Sequence, residues 1–367
     1  MKNLPLILAI DTSCDDTSAS IVCGQFVLSN VVASQTQLHR QYGGVFPTVA
    51  KQAHRENIEP TVRAALRRAH LTLSDLSAIA VTQGPGLAPA LEISIEYARK
   101  LVAETRLPLI PVNHIEGHVL SPLARPLGKT VHLSQAVDHF RDLQKNLTFP
   151  VLSIIVSGKN TEFVAVNAIG QYKVLGTTVD DAAGEALDKF GRMVDLGYPA
   201  GPTIEAFARL GDSRRYTFPL PMTTSGNANM SFSGLKTAAR SLIEKEQALH
   251  PLSQQNVYDL CASFQYSVFR AITYKLSKIL SANHFFGVWL GGGVSSNAAL
   301  RAAIRTTIAP HHLKLQTPYS KKLCIDNAAM IGLAASFKLA RGEWTKEPQN
   351  MERLPRWSVE TSAKHLS

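Results

Sequence analysis

Apolar residues in this chain fall into two patterns: short continuous runs, and longer stretches in which they recur every three or four positions. The runs read as buried strands and the spaced stretches as helices packed by one face. Leu6-Ile7-Leu8-Ala9-Ile10 is the first strand, Asp11-Thr12-Ser13-Cys14-Asp15-Asp16-Thr17 is a string of turn formers, and residues 18–23 resume as a strand. A hairpin follows, its bend lined by hydroxyls and carboxylates. Residues 48–70 have helical spacing, 76–82 form a strand, and Gln83-Gly84-Pro85-Gly86-Leu87 turns the chain into a helix ending near 104. A further strand-like run over 107–112 leads into Asn113-His114-Ile115-Glu116-Gly117-His118, which is expected to open a helix.

The same grammar returns at mid-chain. Residues 151–156 are a strand, Ser157-Gly158-Lys159-Asn160-Thr161 a polar turn, and 162–166 a strand again, about 145 residues after the first such unit. Two related halves are therefore predicted, in an α/β, actin-like and sugar-kinase-like fold with duplicated mixed sheets and a ligand cleft between them. The expected division is 1–122, an insertion over 123–149, a C-terminal half over 150–341 with a helical insertion at about 190–282, and a tail over 342–367. The 123–149 segment reads as a surface insertion carrying a short amphipathic helix over 132–145, with His132 and His139 facing solvent. Two long helices are expected, one ending near 249 and one over 254–282, and a last helix over 327–341. The polar, proline-containing tail is expected to be loosely ordered.

Composition narrows the class. The 367 residues are 45% hydrophobic and 18% charged, which suits a folded chain of two domains. No apolar run is long enough to cross a bilayer, and Met1-Lys2-Asn3-Leu4-Pro5 runs straight into the first strand, which argues for a cytoplasmic protein. Cys14, Cys23, Cys261 and Cys324 are scattered without CxxC spacing, arguing against a disulfide framework or a thiolate zinc site. A net charge of +10 suits a polyanionic partner.

Candidate chemistry gathers at four places. His114 and His118 lie one helical turn apart on one face, close enough to share a metal ion, and a third ligand is sought downstream in Cys324-Ile325-Asp326-Asn327. Exposed polar residues are the competing reading of such a pair. Both polar hairpin bends can cradle a phosphate through backbone amides and hydroxyls. Asp181, Glu185 and Asp188 share a helical face suited to sugar hydroxyls, or are a solvated acidic face. Gly291-Gly292-Gly293-Val294-Ser295-Ser296-Asn297, at a strand end before a helix, has the grammar of a nucleotide site.

Taken in order, AIDTSCDDTSASIV, HRQYGGVFP, TQGPGLAPAL, PVNHIEGHVLSP, IVSGKNT, TTVDDAAGEALDKFGRMVDLGYPAGP, MSFSGLKTA, GGGVSSNAALR and CIDNAAMIG resemble the tRNA N6-adenosine threonylcarbamoyltransferases of the TsaD type, once called glycoproteases. These motifs cover nearly all of residues 6–340. The resemblance implies one divalent metal, iron or zinc, on His114, His118 and Asp326, and an adenylate ligand at Ile155, Val156, Ser157, Gly158, Lys159, Asp188, Gly201 and Asn297. It implies transfer of a threonylcarbamoyl group from threonylcarbamoyl-adenylate to N6 of the adenosine 3′ of the anticodon in tRNAs that read ANN codons. Asp11 and Asp15 are the candidate proton acceptors or orienters. The partners it implies are tRNA and either an inactive paralogue with a small ATPase or a second copy of the chain, with no membrane.

Some positions depart from the family pattern. The turn usually written SGGHT is Ser157-Gly158-Lys159-Asn160-Thr161 here, Thr48 stands where Glu is usual, and Pro89, Glu92 and Ser94 replace small residues. These motivate the alternative of a non-catalytic scaffold. A metalloprotease is disfavoured because Glu116 lies about 200° around the helix from His114, away from the metal face. A small-molecule kinase suits the fold but has no need of the histidine–aspartate triad.

Overall fold

The computed structural model describes residues 5–40, 42–128 and 132–362; the stretch before Pro5 and Lys129 of the 123–149 segment lie outside them. Its contacts divide the chain into two compact units. Unit 1 comprises Met1–Phe149, Asn167–Tyr172 and Thr317–Ser367, and unit 2 comprises Pro150–Val166 and Lys173–Gln316.

Unit 1 is built on β1 (Leu6–Asp11), β2 (Asp16–Cys23) and β3 (Phe26–Ser34), followed by α1 (Thr36–Arg40) and α2 (Pro47–Ala69). Then come β4 (Ala78–Gly84), α3 (Ala88–Thr105), β5 (Leu109–Asn113), α4 (His114–Leu120), β6 (Arg125–Pro126) and α5 (Ala136–Asn146). Its sheet runs β5-β4-β1-β2-β3-β6. β1 pairs antiparallel with β2 and parallel with β4, so Leu6↔Cys23 and Ile7↔Ala78 fix the register. All six β1 residues are buried because helices cover both faces of this sheet, which explains a continuous apolar run in place of alternation.

Unit 2 repeats the plan with β7 (Val151–Val156), β8 (Thr161–Ala168) and β9 (Gln171–Thr177), of which residues 167–172 are counted with unit 1, and then α6 (Ala183–Met193), α7 (Gly201–Ala208), α8 (Ser233–Leu249), α9 (Gln254–Ala282), β10 (Val288–Gly291), α10 (Ala298–Ile308) and β11 (Leu315–Gln316). The order β11-β10-β7-β8-β9 matches β5-β4-β1-β2-β3 position for position, with β7 antiparallel to β8 and parallel to β10. Helices α6 to α9 pack a core around Phe190, Phe232 and Phe264 against β7 and β8.

The chain then returns to unit 1 as α11 (Ala328–Ala340). This differs from the division read from sequence, which kept residues up to 341 in the C-terminal half. Here α11 lies on β1 and β2, where Gly332 comes so close that a Cβ would sit 2.6 Å from a Val22 methyl. A bare helix backbone is what lets this helix seat on the sheet.

Two further expectations are corrected. The tail is packed over its described residues, 342–362, with 363–367 outside them: Met351, Trp357 and Val359 are buried, and Leu354 N–H donates to Gln83 O at 2.8 Å. Its scattered apolar residues have no helical or strand period, so their burial is not visible in the sequence. The 123–149 segment is no mere surface insertion either. Phe140 of α5 is buried against Phe337 of α11, ring centroids 4.8 Å apart, and His139 meets the edge of Phe26 although it stays exposed. His132 is exposed as expected.

Candidate functional site

β5 ends at Asn113, whose side chain caps α4 by accepting from Ile115 N–H at 2.9 Å and Glu116 N–H at 3.3 Å. The cap fixes where the helix begins and hence which residues share its inner face. His114 and His118 stand on that face with their rings nearly perpendicular and 4.8 Å between centroids. Asp326 arrives from the turn before α11, which Asn327 caps in the same manner. Its Oδ1 lies 3.4 Å from His114 Nε2 and 3.0 Å from His118 Nε2. One ligand atom from each residue falls within 4.8 Å of the others. The histidines are almost wholly buried, while the Asp326 side chain keeps 28% of its surface open.

Two imidazoles and a carboxylate, with an open side, are the donor set of a site with vacant coordination positions. The ring atoms fit that use. Asp11 Oδ1 stands 3.6 Å from His114 Nδ1, beyond hydrogen-bond length, and its charge favours a proton there, which would leave Nε2 to face an ion. His118 Nδ1 is buried with no hydrogen-bond partner. Without the ion, burial opposes charge on His114, but Asp326 and Asp11 outweigh it and push the imidazole up to about 10. Burial and the neighbouring His114 hold His118 below its ordinary value. Desolvation opposes charge on the part-buried Asp326 as well, yet the two imidazoles hold its carboxyl well below the usual range.

The first bend abuts this triad. Asp11 is fully buried and accepts from Ser13 N–H at 3.3 Å and Ser13 Oγ at 3.2 Å. Asp15 is only partly buried. The bend is held from behind by His54 of α2, which burial keeps neutral. In that state Nε2–H donates to Cys14 O at 3.0 Å and Nδ1 accepts from Thr17 Oγ1 at 2.7 Å. Sequence reading missed His54; its only signal was a lone imidazole on the buried face of a helix. Ser94, one of the departures, accepts from Thr12 Oγ1 at 2.7 Å and so also serves the bend.

In unit 2 the second bend closes on itself. Ser157 Oγ accepts from Lys159 N–H and Asn160 N–H at 3.3 and 3.0 Å, and Ser157 N–H donates to Asn160 O at 2.8 Å. The substitution of Lys159 and Asn160 therefore leaves the turn intact, with Lys159 exposed and open space beside Gly158. Gly184, at the start of α6, donates to Ser157 O at 3.1 Å. One turn on, Asp188 accepts from Ala200 N–H at 2.8 Å and so ties α6 to the start of α7 beside Gly201, where nothing crowds the backbone. Burial raises the Asp188 carboxyl above its ordinary value. Ile155 and Val156 are buried in β7, and Gly292 packs on Val156 O with φ +87°, so close packing accounts for part of the triple glycine. Asn297 caps α10 through Ala299 N–H at 2.9 Å and donates to Gln265 Oε1 at 2.7 Å. The acidic face over 181–188 is not bare: Lys189 pairs with Asp181 and Glu185.

A profile described as "TsaD: tRNA N6-adenosine threonylcarbamoyltransferase" matches residues 26–333. A relative of that name from Trichlorobacter lovleyi is 38% identical over 360 residues, covering 98% of both chains. Another, from Rickettsia bellii, is 39% identical over 364 residues, 96% of this chain and 98% of its own. The chain belongs to the TsaD family. Its fold is actin-like, as in HypF of T. kodakarensis, which superposes with a TM-score of 0.56 at 15% identity over 94% of this chain and 49% of that one.

In this TsaD-type chain the carboxylate between the two imidazoles of the HIEGH stretch is turned to other partners. Glu116 is 1% exposed and accepts from Tyr172 Oη at 3.0 Å. It does not face the space shared by the imidazoles, as its angle around the helix predicted. Asp180 was also missed: it accepts from Phe232 N–H at 2.8 Å and from the hydroxyls of Ser231 and Ser233, and so holds the MSFSG segment. It sat unremarked in a run of acids, and only contact across more than fifty residues distinguishes it. Among the described residues no helix is long and apolar enough to cross a membrane.

Proposed function

We propose that this chain transfers the threonylcarbamoyl group of threonylcarbamoyl-adenylate to N6 of the adenosine 3′ of the anticodon in tRNAs reading ANN codons. The observation that carries this is the convergence of His114 Nε2 and His118 Nε2 on Asp326 in a chain that matches TsaD-type transferases over nearly its full length. N6 attacks the carbamoyl carbon, the bond from that carbon to the phosphate oxygen breaks, and AMP leaves with the electron pair. The amine loses one proton in the process.

The residues have distinct parts in this reading. Asp11, buried against His114, orients that ring, whereas Asp15, partly open on the same bend, accepts the proton. The Ser157 turn, the backbone beside Gly158 and Gly201, and the Asp188 and Asn297 anchors behind them hold the adenylate, leaving Lys159 to meet a phosphate by charge. One divalent ion on His114, His118 and Asp326, Fe2+ first and Zn2+ as the alternative, supplies charge stabilisation for an oxygen of the acyl phosphate. The aminolysis of an activated anhydride mainly needs such orientation and charge stabilisation. We infer a cytoplasmic setting, with a catalytically inactive paralogue and a small ATPase as partners or a second copy in their place; size-exclusion of the mixtures separates these.

The test mixes purified chain, preformed threonylcarbamoyl-adenylate and unmodified ANN-decoding tRNA, with and without those partners, and reads nucleosides by mass spectrometry. His118→Ala and Asp326→Ala are expected to lose at least ~100-fold in rate, and Asp11→Asn ~10–100-fold as a lost orienter. No product from a folded, metal-loaded chain with any partner set would leave the scaffold reading instead.

A further inference from the structure

α4 and α11 together supply the whole metal triad, α4 through His114 and His118 and α11 through the turn at Asp326 that it follows. Three ligands carried by two helices hold an ion only if the helices keep their spacing to a few tenths of an ångström. Two features of α4 off its histidine face set that spacing. Gly117 has no side chain, and a Cβ there would stand 3.1 Å from both Ile331 Cδ1 and Met330 Cγ of α11. Glu116, its neighbour, reaches Lys338 of α11, Nζ to Oε2 3.6 Å, with both side chains 1% exposed.

We propose that Glu116 and Lys338 are positioning residues for the metal: a buried charge pair that clamps the histidine helix to the aspartate helix. Glu116 Oε2 is buried without a hydrogen bond, so Lys338 meets it by charge alone, and the other polar atoms of the pair are bonded. Tyr172 Oη donates to Glu116 Oε1 at 3.0 Å, and Lys338 Nζ donates to Ser362 O of the tail at 3.3 Å. Burying two opposite charges adds little net stability over a well-packed apolar pair, because desolvation offsets their attraction. What the pair does supply is direction. The Glu116 carboxylate finds an opposite charge and a hydrogen-bond donor only when α4 presents it to Lys338 and Tyr172, and that rotation turns His114 and His118 towards Asp326. Lys338 lies twelve positions beyond Asp326, so the clamp acts at the far end of α11 from the ligand it aligns.

The inference rests on the metal reading above, and the experiment separates the two. Zn2+ affinity of the full chain is measured by calorimetric competition with a chelator, alongside the urea midpoint. Glu116→Gln and Lys338→Met are each expected to weaken Zn2+ binding ~10–100-fold, and Lys338→Arg to stay within about threefold of the parent. The double variant Glu116→Gln/Lys338→Met leaves no buried charge alone. It is expected to recover the parent's midpoint while keeping the weak Zn2+ binding. Where the charge variants do not fold, Tyr172→Phe removes one hydrogen bond to the carboxylate and is expected to weaken binding about fivefold. A stable double variant, or a stable Tyr172→Phe, with parental Zn2+ affinity overturns the proposal. If the parent binds no Zn2+, the metal reading has failed. Ring 15N–1H spectra of His114 and His118 in the metal-free chain then decide the clamp: shifted signals in Tyr172→Phe support it, and unchanged signals refute it.

Discussion

Asp16 is the residue whose charge works against its surroundings. Burial raises its carboxyl to about 7, and the nearby Asp15, Asp326 and Asp11 add to the rise, although a bond from Ser34 opposes it. Its Oδ1 is buried without a hydrogen-bond partner. The folded chain therefore binds a proton there that the unfolded chain has already released above the ordinary carboxylate range. Stability is expected to fall as pH rises from about 4 to about 7, by up to ~4 kcal/mol for the full shift. Asp16→Asn in chelator-treated protein should remove that fall, so its urea midpoint exceeds the parent's at pH 8 and matches it near pH 4. An equal offset at both pH values would show that Asp16 does not titrate in this window. The sequence marked this position only as one of several acids in a turn; the count of carboxylates near it comes from folding.

At the scale of elements, the second bend and α6 form a single joint. Gly184 opens the helix against Ser157 O, and a Cβ there would come within 2.6 Å of that oxygen and 2.9 Å of Gly158. In an exposed helix Gly→Ala gains about 1 kcal/mol of propensity. Here the backbone contact reverses the sign, and Gly184→Ala is expected to cost ~1–3 kcal/mol. Because it displaces the turn, adenylate binding should weaken at least ~10-fold, measured by calorimetry with a non-hydrolysable threonylcarbamoyl-adenylate analogue. A variant more stable than the parent with unchanged binding would mean the joint is loose. Strand–turn–strand order, the helix after β5 and the spacing of the imidazoles were all legible, since each depends on residues close in sequence. The joint was not, because Ser157 and Gly184 meet across 26 residues and neither pattern points to the other.

For the whole molecule, the tail is the part whose weight is greatest relative to its sequence signal. Trp357 is 5% exposed, its carbonyl accepts from Asn113 Nδ2 at 3.1 Å, and the tail also bonds Gln83 and Gly86. It thus braces the cap of the helix that carries the imidazoles. Trp357→Ala is expected to destabilise unit 1 by ~3–5 kcal/mol, seen as a lower thermal midpoint that metal raises less than in the parent. An unchanged midpoint would reduce the tail to a passive covering.

By itself the sequence determined the local alphabet of this protein: two strand–bend–strand units, an imidazole pair at i and i+4, and glycine-rich turns before helices. It also implied the family, whose motifs run in order through nearly the whole chain. Those features are written in neighbouring residues, where periodicity and turn chemistry act directly. The tertiary structure alone decided that α11 and the tail return to the first unit, bringing Asp326 to His114 and His118 from 208 residues beyond the latter. It also decided that Glu116 faces Lys338 and that His54 holds the first bend. Each of these is a contact between distant segments, chosen by which faces can be buried together, and a one-dimensional pattern carries no term for that choice.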